Sequence, residues 1–210
     1  MNDPLTLTQP ERFVLTGCSG GGKSTLLAEL ERRGEQVVPE VGRALVREHM
    51  AQGSDLLPWA NAPDFTLELA RRTIAAYDDA PTGRVFFDRG LIDVIAHFDF
   101  LGEPIPLWLA DASARVRYAS PVFVVPPWPE IYEDEGERGK DFARAVAEYD
   151  ALCAAYDRYG YNRTEIAPAP IIARADFVLS TSNESIDDDV VDGTIKAVDG
   201  HRKPDRGIDL

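Results

Sequence analysis

The stretch Gly17-Cys18-Ser19-Gly20-Gly21-Gly22-Lys23-Ser24-Thr25 satisfies the spacing G-x-x-x-x-G-K-[ST] at every required position. Phe13-Val14-Leu15 leads straight into its first glycine, and Leu26, Leu27 and Leu30 follow at helical spacing. The motif therefore joins a strand to a helix, the context in which such a phosphate-binding loop works. Backbone N–H groups can converge on phosphate oxygens only where no Cβ blocks the approach, and the helix that follows turns its positive end toward them. Gly17, Ser19, Gly20, Gly21, Gly22, Lys23, Ser24 and Thr25 are thus the expected nucleotide contacts. Lys23 would reach the β- and γ-phosphates, and the Ser24 hydroxyl would ligate Mg²⁺.

A chain of 210 residues, 44% hydrophobic, suffices for one α/β domain with a substantial core. The net charge of -14, from 36 acidic against 22 basic residues, argues against a nucleic-acid surface, which rewards clustered Lys and Arg. Two cysteines make no disulfide framework and suit a reducing cytoplasm. No segment approaches eighteen consecutive apolar residues and the first twelve carry no apolar export core, so neither membrane nor export is expected.

Beyond the first helix, Glu29 and Arg33 are spaced to pair and Gly34 to end the helix in left-handed conformation. Gln36-Val37-Val38 reads as a strand that delivers Glu40 to its carboxyl end, with Arg43 on the helix that opens there. Ligands of α/β sheets bind at such ends, which makes Glu40 and Arg43 acceptor-side candidates. Residues 50–63, with Gly53, Pro58 and Pro63, read as a loop that either borders the acceptor pocket or packs Trp59 beneath it as a small satellite core. Asp64 then caps a helix whose apolar face runs over 65–77.

The apolar strand Arg84-Val85-Phe86-Phe87 closes on Asp88. In the strand expected after a phosphate loop this is the arrangement whose carboxylate orients Mg²⁺, and Arg89 beside it is suited to hold a reacting phosphate or acceptor. Helices over 91–101 and 107–118 follow, then a buried strand over 122–125 stopped by Pro126-Pro127-Trp128-Pro129. His97 reads as structural. Ile131 to Asp141, with two glycines and dense charge, reads as a mobile lid on which Arg138, with Arg144 on the following helix, neutralises charge on the transferred phosphoryl group. A scaffold helix to Tyr159, a short strand over 164–167 and a closing helix over 171–179 complete a domain spanning 11–180. Residues 181–210, with Asp187-Asp188-Asp189, read as an acidic, disordered tail.

The succession of phosphate loop, Val-Pro-Glu-Val-Gly-Arg, Phe-Phe-Asp-Arg-Gly-Leu-Ile-Asp and Pro-Pro-Trp-Pro-Glu-Ile-Tyr with Glu-Gly-Glu-Arg resembles the small AAA-type ATP-binding domains related to the ribosylnicotinamide kinase domain of NadR. The likeness runs from about residue 11 to 180. It implies a three-layer α/β P-loop kinase-like fold with a five-stranded parallel sheet in the order 2-3-1-4-5, an ATP site and phosphoryl transfer to a small molecule. Gly22, Lys23 and Ser24 match the phosphate loop, Asp88 and Arg89 the Asp-Arg pair, and Arg138 the lid arginine. One departure is Glu135, where similar sequences carry Asp before the lid glycine.

The expected activity is an ATP- and Mg²⁺-dependent phosphotransferase acting on a nucleoside, nucleotide or similarly polar metabolite. Lys23, Glu40, Asp88 and Arg138 would be catalytic, Glu40, Arg43 and Arg89 would bind the acceptor, and Ser24 and Asp88 would hold the metal. The rival is a nucleotide-dependent switch or ATPase that binds a partner and has no small-molecule acceptor. Glu40 and Arg43 favour the enzyme, because nucleotide binding alone requires neither.

Overall fold

The computed structural model describes residues 11–18, 21–129 and 142–199, with side chains placed through residue 185. Five parallel strands form one sheet in the order β2-β3-β1-β4-β5, as the resemblance implies. They are β1 (Arg12–Gly17), β2 (Gln36–Val38), β3 (Val85–Asp88), β4 (Val122–Val125) and β5 (Arg163–Glu165). The helices are α1 (Lys23–Arg32), α2 (Val41–Gln52), α3 (Ala62–Asp78), α4 (Leu91–Leu101), α5 (Leu107–Arg115), α6 (Phe142–Arg158) and α7 (Ile171–Asp199).

Alternation along the central strands divides the core in two. Phe13 and Leu15 of β1, Phe86 of β3, and Phe123 and Val125 of β4 pack with Leu26, Leu27 and Leu30 of α1 and with Ala175 and Val178 of α7. Val14, Val85, Phe87, Val122 and Val124 point the other way, onto Tyr77 of α3, the apolar face of α4, and Leu152 and Tyr156 of α6. Successive side chains of a strand face opposite sides, so continuous apolar runs are what a sheet covered by helices on both faces demands.

Strand β1 lies between β3 and β4, where the order of the sheet reverses. Leu15 is in register with Asp88 and Gly17 with Val125, so the phosphate loop and Asp88 emerge side by side. A crevice outside the carboxyl ends of strands at such a reversal is the usual ligand position in open α/β sheets.

The helix expected over 107–118 ends at Arg115 and the strand expected over 164–167 spans Arg163–Glu165, and the structure departs further in four other places. The loop expected over 50–63 begins later, because α2 continues to Gln52 and ends on left-handed Gly53. Asn61, not Asp64, caps α3: its side chain accepts from the Asp64 N–H, with Pro63 in the first turn. Trp59 does not pack beneath the loop but is 67% exposed. Tight bonds from the Ala60 and Asn61 N–H groups to the Leu57 carbonyl (3.0 and 2.8 Å) curl the loop on itself and leave the indole outside. The helix opening at Ile171 does not stop at 179 but runs to Asp199, through most of the segment read as a disordered tail. In the sequence, Ile186 and Val190, then Val191, Ile195 and Val198, recur at three- and four-residue intervals, a helical period that the Asp run obscures. Among the described residues no helix is long and apolar enough to cross a membrane.

Candidate functional site

The loop after β1 turns tightly against the end of β4. A Cβ on Gly17, whose φ is 130°, would stand 2.1 Å from the Val125 carbonyl oxygen, and one on Gly21 would stand 2.6 Å from Val125 Cγ1. Only glycine fits at either position. Gly22, at φ 76°, ends the turn and opens α1, whose first residue is Lys23. Ser24 and Thr25 lie exposed in the first turn of α1, while Ser19 and Gly20 fall outside the described residues.

Lys23 is 7% exposed and folds back over its own loop, where Nζ donates to the carbonyls of Cys18 (2.5 Å) and Gly17 (3.0 Å). Burial, with the Arg89 charge adding to it and Asp88 opposing, pulls the ammonium pKa down to about 8. Burial also raises the Cys18 thiol against the pull of Lys23, which keeps the sulfur protonated and unreactive.

Asp88 ends β3 and is likewise 7% exposed; its Oδ1 is buried with no hydrogen-bond partner. That desolvation raises its pKa, with Lys23 and Arg89 opposing and Glu40 adding to the rise. A carboxylate oxygen stripped of donors beside a phosphate loop fits a hydrated divalent cation. Among the described residues no cluster of three or more His, Cys, Asp or Glu forms a closed metal cage. Mg²⁺ held mainly by phosphates and water needs none.

Arg89 adopts φ 71°, a left-handed conformation unusual outside glycine, at the turn from β3 into α4. The turn swings its guanidinium between two carboxylates: Nε stands 3.5 Å from Glu40 Oε1, and Nη1 donates to Asp93 Oδ1 at 3.2 Å. Burial disfavours this charge, but Asp93, Glu40 and Asp88 outweigh it and hold the pKa above its usual value. Glu40, the N-cap residue of α2, meets Arg43 Nε through its other oxygen at 2.8 Å. Of the sequence-derived residues, Arg43, Glu40 and Arg89 are thus joined by ion pairs, and Lys23 and Asp88 lie close enough to feel their charges at the carboxyl edge of the sheet. Arg138 lies outside the described residues.

Sequence reasoning missed Asp93 as an organiser of this group. Its Oδ1 accepts from Thr16 Oγ1 (2.5 Å) and Arg89, and its Oδ2 from the Gly90 N–H (2.8 Å) and the Tyr156 hydroxyl (2.6 Å). One carboxylate thus ties β1, the turn carrying Arg89, α4 and α6 together. The available signal was an acid inside the otherwise apolar run Leu91-Ile92-Asp93-Val94-Ile95-Ala96, four residues after Arg89. Arg174, 4% exposed on α7 and bound to the loop at the Gly21 carbonyl, was missed too.

Beside this group a pocket of about 90 Å³ opens between α4 and α6, lined by Gly17, Cys18, Arg89 and Asp93 together with His97 and Glu148. His97 therefore faces the site that sequence reasoning left it out of.

A family model described as an AAA domain matches residues 12–174, the span holding every element of this site. The chain belongs to that AAA domain family. It also matches part of the aliphatic sulfonates import ATP-binding protein SsuB 1 of Frankia alni, 43% identical over 72 residues, which is 34% of this chain and 27% of that protein. The chain thus spans about a quarter of that curated relative's length. Among solved structures the AAA domain is similar to deoxyadenosine kinase from M. mycoides, with a TM-score of 0.58, 12% identity, and coverage of 82% of this chain and 99% of that one. Thymidylate kinase from Ehrlichia chaffeensis gives 0.54 and 16%, with coverage of 82% and 97%. At such identities the likeness establishes the fold, that of the P-loop nucleoside and nucleotide kinases.

The depressed Lys23 pKa sets a pH dependence. Phosphates would restore the ammonium to its usual range, so above about pH 8 binding must return a proton to Lys23. MgATP affinity is expected to fall as pH rises through about 8, by up to roughly tenfold per unit. Titration calorimetry at pH 9 in buffers of different ionisation enthalpy should show proton uptake that is absent at pH 7. Equal buffer dependence at both values would place the Lys23 pKa elsewhere.

Proposed function

We propose that this AAA domain is an ATP-dependent phosphotransferase that moves the γ-phosphate of MgATP to a small polar acceptor of the nucleoside or nucleotide class. The observation that carries this reading is Arg89, which lines a pocket beginning at Gly17 and Cys18 of the phosphate loop and is held from behind by Glu40, itself paired with Arg43. Nucleotide binding or hydrolysis alone requires neither the group nor the pocket. In this reading residues 11–180 are the transferase domain.

The N–H groups of the loop and the positive end of α1 receive the β- and γ-phosphates, and Lys23 exchanges its two carbonyl partners for phosphate oxygens. Ser24 and Asp88 would hold Mg²⁺, which supplies charge neutralisation on the phosphates. Glu40 accepts the acceptor's hydroxyl proton. It need not be strongly basic, because in a loose phosphoryl-transfer transition state positioning and charge stabilisation dominate. Arg89 orients the acceptor next to the transferred group, and Arg138 is assigned the role of neutralising charge on that group.

The test is an acceptor screen with γ-labelled ATP. The names of the kinases of like fold point first to deoxynucleosides and thymidylate, and the sequence resemblance adds ribosylnicotinamide. Label appearing in one acceptor in step with ADP formation is the expected result. Acceptor-independent release of phosphate across the panel would overturn transfer and favour the ATPase switch.

A further inference from the structure

Arg174 carries a buried charge for which the described residues supply no carboxylate. It rises from the first turns of α7 and is 4% exposed. Its Nη2 donates to the Gly21 carbonyl at 3.1 Å, and its Nε is buried without a partner. The guanidinium carbon lies 5.8 Å from the centre of the Trp128 ring, close enough for a cation–π attraction that offsets part of the lost hydration. Burial still lowers its pKa. Keeping an arginine rather than an apolar residue at such a place is costly in a folded core, which calls for a role beyond filling space.

The role follows from the geometry of one peptide. In a trans peptide the carbonyl of residue i and the N–H of residue i+1 point in opposite directions. Arg174 draws the Gly21 carbonyl toward α7, so the Gly22 N–H is directed to the other side of the loop. The second half of the loop is also wedged in place. A Cβ on Gly22 would meet Arg174 Nη1 at 2.9 Å, and one on Gly21 would meet Val125 and the Pro126 carbonyl. The left-handed φ of Gly22 makes this peptide one that can rotate when nothing holds it.

We propose that Arg174 is a positioning residue of the phosphate loop, which holds the Gly21–Gly22 peptide through the Gly21 carbonyl so that the Gly22 N–H faces bound phosphate. The role rests on the loop binding nucleotide phosphates, and it is independent of the acceptor. Arg174 touches the loop and not the reacting atoms.

The experiment compares the full chain with Arg174→Met, which keeps length but loses charge and donors, and Arg174→Lys, which keeps charge but not the planar fork. MgATP and inorganic tripolyphosphate are the probes, affinity is measured by calorimetry, and the Gly22 amide is followed by ¹⁵N–¹H NMR. In the parent, the Gly22 amide proton is expected to shift downfield with either probe. Arg174→Met should weaken both probes by about tenfold and lose most of that shift, with Arg174→Lys in between. A filler role would lower the unfolding temperature and leave the affinity and the Gly22 shift alone. Should Arg174→Met fail to fold, Arg174→Lys decides: in either variant, parent-like affinity with a parent-like shift overturns the proposal. Weakened binding with an unchanged Gly22 shift also overturns it, since Arg174 would then act by charge alone. Failure of the parent to bind either probe overturns the nucleotide reading and the role of Arg174 with it.

Discussion

Lys23→Ala is expected to reduce phosphoryl transfer by about a hundred- to a thousandfold, because it removes the phosphate-loop ammonium that would meet charge on the β- and γ-phosphates. MgATP affinity should fall with it. The fold should not: the variant loses two hydrogen bonds, to the Gly17 and Cys18 carbonyls, but is relieved of a buried cation. These terms oppose each other to within about 1 kcal/mol, or a few degrees in unfolding temperature. Thermal unfolding without ligand, followed by turnover at saturating MgATP, separates the two effects. A variant that unfolds like the parent and still transfers phosphate at the parental rate would remove Lys23 from the chemistry.

The second large effect divides two carboxylates. Asp88→Asn keeps the shape of the side chain but removes the charge behind its bare Oδ1, so the Mg²⁺ concentration needed for half-maximal activity should rise tenfold or more, on the order of what one outer metal partner contributes. Glu40→Gln should bind MgATP as the parent does and lose roughly a hundred- to ten-thousandfold in kcat, the usual worth of a proton acceptor. Arg89 and Arg43 lose a charge partner in that variant, so the acceptor KM should change as well. The discriminating measurement is an Mg²⁺ titration of both variants beside an ATP binding curve. The same metal defect in both would mean that the two carboxylates do not have separate roles.

What could be read from the amino acids alone follows the range of the interactions involved. The phosphate loop, the Asp88–Arg89 pair and the i,i+4 contact of Glu29 with Arg33 (2.8 Å) are local patterns, and the structure contains each of them. The strand order came from the family likeness, since no residue of β2 reveals that β3, and not β1, lies next to it. The role of Asp93 was not legible, because two of its four donors, Thr16 and Tyr156, lie 77 and 63 positions away and reach it only after the sheet and α6 are assembled. Arg174 meets Gly21 across 153 positions of chain. Its clue lay beside the stripe of Ile172, Ala175 and Val178 that the sequence turns inward: in the structure Ile172 is 51% exposed, and Ile171 and Arg174 take the inner face instead. Trp59 went astray for the opposite reason: indole is usually buried, and only the curl of its loop keeps it outside.

Lys23 and Arg89 already have partners before any ligand arrives. The Gly17 and Cys18 carbonyls hold the Lys23 ammonium, and the Glu40 and Asp93 carboxylates hold the Arg89 guanidinium. At these two cations entry of a ligand is therefore an exchange reaction, in which a new contact replaces one that existed. The free energy realised is the difference between two sets of partners, small for a lone anion and large only for a ligand that displaces several placeholders together. A cleft built this way discriminates by valency and spacing: a stray inorganic anion gains little by entering, while a chain of phosphates in the right geometry gains at every step.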